Sequence, residues 1–324
     1  MRAVFMGTPE FAVPSLEALV EVCRARGGDV VGVVCQPDRP AGRGMQLTPP
    51  PVKVRAEALG LEVIQPTKVR DGSLAKWVRD KNVDVALVVA YGRILPKDVL
   101  DAPRTGCLNV HASLLPKYRG AAPITWAIVR GEHETGVGLM RMEEGLDTGG
   151  VYAEKRTAID PDETAGDLGK RLAQVAAELV RESLADVVEG KLSIRPQDHA
   201  AATLAPILKK EDGLVDWSKP SQMVHDHVRG MSPWPGAATR IVRDDGPRLL
   251  KVHRTRRFEG AVSASVERAP GVVLVADKHH VLVACGPAGQ DTLELVEAQP
   301  EGKKVMPARD LASGRVLAVG QKLG

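Results

Sequence analysis

The feature that most restricts the fold is an alternation, over the first half of the chain, of short valine-rich runs with segments of helical period. Residues 3–6, 29–35, 61–64, 84–90, 107–110 and 137–142 are largely apolar and do not alternate with polar residues. Strands of this kind are buried on both faces. With helices between them, they indicate a mostly parallel sheet covered on both sides, a Rossmann-like α/β arrangement. The intervening segments fit. Pro14 can open a helix whose Leu16, Leu19 and Val20 recur with helical spacing, and Ser73 can cap a short helix over 73–79. Residues 163–188 predict one long amphipathic helix with Leu168, Leu172, Val175, Leu179 and Val180 on one side.

Beyond Lys209 the period changes. Short strands at 214–217, 237–242, 249–253, 272–275, 281–284 and 293–296 are punctuated by glycine and proline, and 277–280 sits where a hairpin turn belongs. This pattern predicts a small antiparallel β-barrel. The 324 residues therefore divide into a catalytic-sized unit over 1–190, a polar linker over 191–208 and a second domain over 209–324. With aromatic residues at 3%, the cores have to be built from Val, Leu, Ala and Ile.

Apolar residues at 44% and charged residues at 26% exclude a disordered chain. No apolar run approaches the ~20 residues that span a bilayer, and the amino terminus is not a signal peptide. Cys23, Cys35, Cys107 and Cys285 form neither a CxxC pair nor a disulfide framework, which points to a reducing cytoplasm. The net charge is only +3, with 18 basic and 14 acidic residues over 205–324, so any basic surface is biased toward the C-terminal third. His225 and His227 fall on different helix faces and His279-His280 in a turn, which disfavours a metal site.

Three segments carry chemistry. Gly7-Thr8-Pro9 follows the first strand, where open α/β folds bind ligands, but lacks the GxGxxG fingerprint of a dinucleotide site. Residues 36–52, QPDRPAGRGMQLTPPPV, are too long for a βα loop, where about two to six residues are usual. This insertion presents Arg39 and Arg43, which suit phosphate oxygens, although a plain surface insertion would read the same way. Asn109 and His111 end a strand two residues apart, so both point to one face. An amide can donate to a developing oxyanion and an imidazole can move protons near neutral pH. Asp147, in the glycine-rich loop 143–149, is a candidate to orient His111. A strand-end pair bonding loop backbone, and an ordinary Asp turn, are the structural alternatives.

NVHASLLPKYRGAAPITWAI at 109–128 with GLDTGG at 145–150 resembles the folate-dependent formyltransferases. MGTPEFAVPSLEAL, QPDRPAGRG, AYGRILP, DGLVDW, RGMSPWPGA and QPEGKKVM resemble the branch that formylates methionyl-tRNA. The resemblance implies that Asn109, His111 and Asp147 are the catalytic set. It implies a Rossmann-like domain that holds 10-formyltetrahydrofolate against Gly92, Arg93, Ile94, Leu95, Ser113, Leu114, Leu115, Pro116, Met140 and Gly145. A C-terminal barrel similar to an OB-fold would help bind methionyl initiator tRNA. Arg39, Arg43, Lys209, Lys210, Arg229, Lys303 and Lys304 would supply its phosphate contacts. The protein would act as a cytoplasmic monomer without a metal. One departure is visible: Met45-Gln46 stand where relatives carry two lysines after AGRG. The competing readings are a formyltransferase for glycinamide ribonucleotide or a nucleotide-sugar amine, an RNA-binding protein with an inactive Rossmann domain, and a nicotinamide-dependent oxidoreductase.

Overall fold

The structure, a computed structural model, describes residues 1–41, 45–263 and 265–324. The chain forms two compact units. The first comprises 1–123, 134–158 and 169–206, and the second 124–133, 159–168 and 207–324. The boundary thus lies at more than one point in sequence, because two short internal segments cluster with the C-terminal residues.

In the first unit, β1 (Arg2–Gly7), α1 (Val13–Ala25) and β2 (Asp29–Val34) are followed by a small hairpin, β3 (Arg39–Ala41) and β4 (Gln46–Thr48). Then come α2 (Pro51–Ala58), β5 (Val63–Ile64), α3 (Ser73–Asp80), β6 (Val85–Val89), α4 (Lys97–Leu100), β7 (Cys107–His111) and β8 (Arg119–Gly120). The chain continues through α5 (Pro123–Val129), nearly all of which clusters with the second unit, and then β9 (Glu134–Arg141), β10 (Val151–Ala158), α6 (Ala165–Val188) and β11 (Leu204–Ala205). The main sheet has seven strands in the order β10-β9-β7-β6-β1-β2-β5. Pairings from β5 to β7 are parallel, and β9 and β10 are added antiparallel at one edge. β1, β6 and β7 are the central strands, largely apolar and buried, with β7 carrying Asn109 and His111 on one face. Strand β10, VYAEKRTA, was not expected. It is a half-exposed edge strand whose charged residues conceal it. Val4, Met6, Val34, Leu74, Val88 and Tyr91 form part of the core on one face of the sheet.

The second unit contains α7 (Ser221–Gly230), β12 (Ala237–Ile241), β13 (Arg248–Arg257), β14 (Val273–Ala276), β15 (Val281–Cys285), β16 (Asp291–Pro300), β17 (Met306–Pro307) and α8 (Ala308–Ser313). Its antiparallel ladder runs β12-β13-β16-β15-β14, with β17 on β16. Trp217, Val228, Leu250, Val283, Leu295 and Leu311 fill its core. The expected closed barrel is not formed by these strands: among the described residues no ladder joins β12 to β14. The last residues run along both edges instead. Val242 N donates to Lys322 O at 2.9 Å, Leu323 N to Gly271 O at 2.8 Å and Val273 N to Gln321 O at 2.9 Å. No helix among the described residues is long and apolar enough to cross a membrane.

Candidate active site

Strand β7 alternates as its sequence predicts. Leu108 and Val110 enter the core, while Asn109 and His111 share the opposite face. The His111 ring is buried, with Nε2 2.9 Å from the Tyr118 carbonyl oxygen and Nδ1 3.6 Å from Asp147 Oδ2. A carbonyl only accepts, so Nε2 bears a proton and the neutral ring keeps its lone pair on Nδ1, toward the carboxylate. A second proton on Nδ1 would therefore face an anion. Nε2 is directed at Tyr118, and the Asn109 amide on the same face is half-buried. No hydrogen bond to the Asn109 side chain is made among the described residues.

Asp147 reaches this position from a backbone in the left-handed region, at φ +51°. That conformation costs an L-residue roughly 1–2 kcal/mol, and Asp is among the residues that tolerate it best. Its Oδ2 accepts from Gly120 N at 2.8 Å. Gly120 has to be glycine: its φ is +120°, and a Cβ there would lie 2.6 Å from Ala205 O. The glycines after Asp147 let the protein's own chain come close. A Cβ on Gly150 would meet Ile194 Cγ1 at 2.5 Å and Arg195 O at 3.0 Å. The segment read as a linker thus packs on the Asp147 loop, and it brings a residue that sequence reasoning missed. Gln197 is 9% exposed and donates to Asp147 O at 2.9 Å and to Gly149 O at 2.6 Å. The double glycine at 149–150 was the one available signal that another chain segment comes close.

The residues expected to line the donor site divide by exposure. Ile94 is 67% exposed and Gly145 is exposed, next to Leu146 at 59%. Leu114, Leu115 and Pro116 are partly exposed, with Leu114 packed toward Gly136 of β9. Arg93 donates to Thr67 O at 2.7 Å. Leu95, Met140 and Ser113 are interior, and Ser113 Oγ donates to Lys117 O at 2.6 Å. Gly92 O accepts from Gln36 Nε2 at 3.1 Å, which ties the donor segment to the root of the 36–52 insertion. At that root Lys53 Nζ contacts both Asp38 oxygens, at 2.9 and 3.0 Å, and Gln65 Oε1 at 3.0 Å. Hydrogen bonds from Gln65 and Lys53 hold the Asp38 carboxyl below its usual range, and Asp38 in turn raises Lys53.

Of the residues expected at phosphates, Arg39 is exposed and pairs with Gln36 Oε1, while Arg43 lies outside the described residues. Lys209, Lys210, Lys303 and Lys304 are exposed. Arg229 is not available for a phosphate. It is 6% exposed, it pairs with buried Asp226 at 2.7 and 2.8 Å, and it donates to Asp160 O and Glu163 O. A guanidinium on this α7 face is matched by a carboxylate three residues earlier, a relation that an exposed-lysine analogy overlooks.

Comparison with known proteins places this geometry. The family model described as Formyl transferase matches residues 1–184, and that described as Formyl transferase, C-terminal domain, matches 207–316. The chain is 56% identical over 324 residues to a methionyl-tRNA formyltransferase of Sorangium cellulosum (strain So ce56), covering all of both chains. The chain belongs to the methionyl-tRNA formyltransferase family. A second member of that family, from Citrifermentans bemidjiense, is 49% identical over all of this chain and 96% of its own. Among solved structures, a sugar 3N-formyl transferase crystallised in the presence of dTDP and 5-N-formyl-THF shares the fold. Its TM-score is 0.65 at 16% identity, over 94% of this chain and 99% of that one.

Proposed function

We infer that this protein transfers the formyl group of 10-formyltetrahydrofolate to the α-amino group of methionyl initiator tRNA, giving N-formylmethionyl-tRNA. The observation that carries this reading is the convergence of Asn109, His111 and Asp147 in a chain whose full-length relatives bear the name of that activity. The site suits the donor. The Asn109 amide, whose side chain makes no hydrogen bond among the described residues, would donate to the formyl oxygen, and exposed Ile94 and Leu146 would offer apolar surface to a flat ring.

In this reading Asn109 donates its NH2 to the formyl oxygen as negative charge builds on it. The attacking amine has to be neutral, and its proton leaves through the His111–Asp147 pair, directly or by way of water. Nδ1 of the neutral ring is the accepting atom, and Asp147 stabilises the imidazolium so formed until the proton passes to the departing folate nitrogen. His111 thus acts first on protons, and Asn109 on the oxyanion.

The second unit and the 36–52 insertion serve the tRNA. The tail that runs along both sheet edges supports reading residues 209–324 as an OB-like domain for tRNA. Lys209, Lys210, Lys303 and Lys304 would meet phosphates, and Arg39 and Arg43 the acceptor end. Four buried free cysteines support a reducing cytoplasm, and a monomer suffices for the chemistry. The deciding experiment supplies radiolabelled 10-formyltetrahydrofolate with methionyl-tRNA, a dTDP-amino sugar or glycinamide ribonucleotide. Transfer to methionyl-tRNA alone is expected. Preferential transfer to either small amine would reject the tRNA reading.

A further inference from the structure

Residues 191–206 fasten to both loops that hold His111. Val151 and Arg195 exchange backbone hydrogen bonds at 2.8 and 2.9 Å, on the Asp147 side. On the other side β11 runs parallel to β8, with Arg119 N donating to Thr203 O at 2.9 Å and Tyr118 N to Thr203 Oγ1 at 2.9 Å. Gln197 lies between these two fastenings and uses both ends of its amide. Its NH2 takes the carbonyls of Asp147 and Gly149, and its Oε1 accepts from Arg119 Nε at 3.1 Å and Nη2 at 2.7 Å. Arg119 Nη2 also lies 3.0 Å from His199 Nδ1.

These bonds close a circuit. Asp147 Oδ2 accepts from Gly120 N, Gly120 follows Arg119, Arg119 holds Gln197, and Gln197 holds the backbone of Asp147. We propose that Gln197 is a positioning residue for formyl transfer, setting the backbone of Asp147 so that its carboxylate stays on His111. This rests on the role given to Asp147 above. Asp147 is a non-glycine residue at positive φ in a loop, and such a conformation persists only where its surroundings over-determine it. Gly120 N fixes one carboxylate oxygen but not the peptide plane; the two donors of Gln197 fix the carbonyls on either side of the turn. Without them the loop relaxes and the carboxylate leaves Nδ1, although no group that touches substrate has changed.

The test uses the full chain with labelled 10-formyltetrahydrofolate and methionyl-tRNA. Gln197→Ala is expected to lower kcat by ~10²-fold, the scale of a ~1 Å misplacement, with KM for the donor nearly unchanged. Gln197→Glu keeps the side-chain shape and the Arg119 pair but turns an acceptor toward two carbonyls, so it should lose kcat comparably. It also decides the matter if the alanine variant does not fold. In an Asp147→Asn background, adding Gln197→Ala should cost about twofold or less, because one residue acts through the other. A folded Gln197→Ala or Gln197→Glu enzyme with near-normal kcat overturns the proposal, as does a full, independent cost in the Asp147→Asn background. If the wild-type chain formylates no methionyl-tRNA, the functional reading itself has failed; an active wild type with indifferent Gln197 variants removes the positioning role alone.

Discussion

Asp147 holds its carboxylate 3.6 Å from Nδ1 of His111 while its own backbone sits at φ +51°. The arrangement gives the imidazole one carbonyl and one carboxylate to face, so its proton-bearing states differ in which of the two they satisfy. Asp147→Asn keeps an acceptor for Gly120 N but removes the charge facing Nδ1. We expect folding and donor binding to persist while kcat falls by ~10²-fold or more, the range of acid–base assistance. Thermal unfolding and donor titration alongside steady-state kinetics check this; a variant that keeps most of its rate would make Asp147 a turn residue only.

On the proposed mechanism Asn109 would serve the oxyanion, and among the described residues no hydrogen bond holds its side-chain amide. Asn109→Ala should therefore leave the melting temperature close to wild type and depress kcat by ~10²–10³-fold, as removal of an oxyanion donor does. Folate KM should move far less.

Arg229 belongs to the interior of the second unit. Removing it leaves Asp226, itself buried, without its partner, so Arg229→Ala should destabilise that unit by about 3–5 kcal/mol. Urea titration measures the loss. Where the variant remains folded, the salt dependence of tRNA binding should be unchanged.

The exposed lysines should behave in the opposite way. Lys303→Ala or Lys210→Ala should leave stability within about 0.5 kcal/mol and weaken tRNA binding at every sequence, with the slope of log K against log salt falling by about one unit or less. An unchanged slope for all four lysines would take the phosphate contacts away from this unit.

His227 on α7 supplies a pH signature of stability. Its Nε2 is buried with no hydrogen-bond partner among the described residues, and burial lowers its pKa against the opposing Gly213 backbone, Asp212 and Asp216. The folded state therefore binds that proton less readily than the unfolded chain, whose His titrates near 6.5. Stability from neutral His227 is fully present above that pH and declines as pH falls through and below it. Denaturation midpoints across about pH 5–8 should show this decline in the wild type and a flatter profile in His227→Gln.

How far the molecule could be read from its residues varies by element. The central strands were visible because a strand buried on both faces is largely apolar, as residues 85–89 and most of 107–110 are. Strand β10 was hidden because an edge strand is held by backbone pairing, which leaves Glu154, Lys155 and Arg156 no trace of period. Asn109 and His111 were legible because alternation along one strand is a local rule. The ion pair that removes Arg229 from the surface is local too, but its burial is not.

Sequence alone thus determined the parallel sheet, the face shared by Asn109 and His111, and the candidacy of Asp147, all of which follow from periods of two or of 3.6 residues and from the chemistry of single side chains. Only the tertiary structure decided that His111 directs Nε2 at Tyr118, that the tail rather than a strand spans the edges of the second sheet, and that residues 195–205 lie against the loops around His111 and Asp147. Gln197 shows the reason. Its partners lie 48, 50 and 78 positions away in the chain, and nothing in the local pattern of a polar segment states which distant carbonyls its amide will meet. That choice is made by packing, when burial forces each polar group to find the donor or acceptor that the whole fold brings beside it.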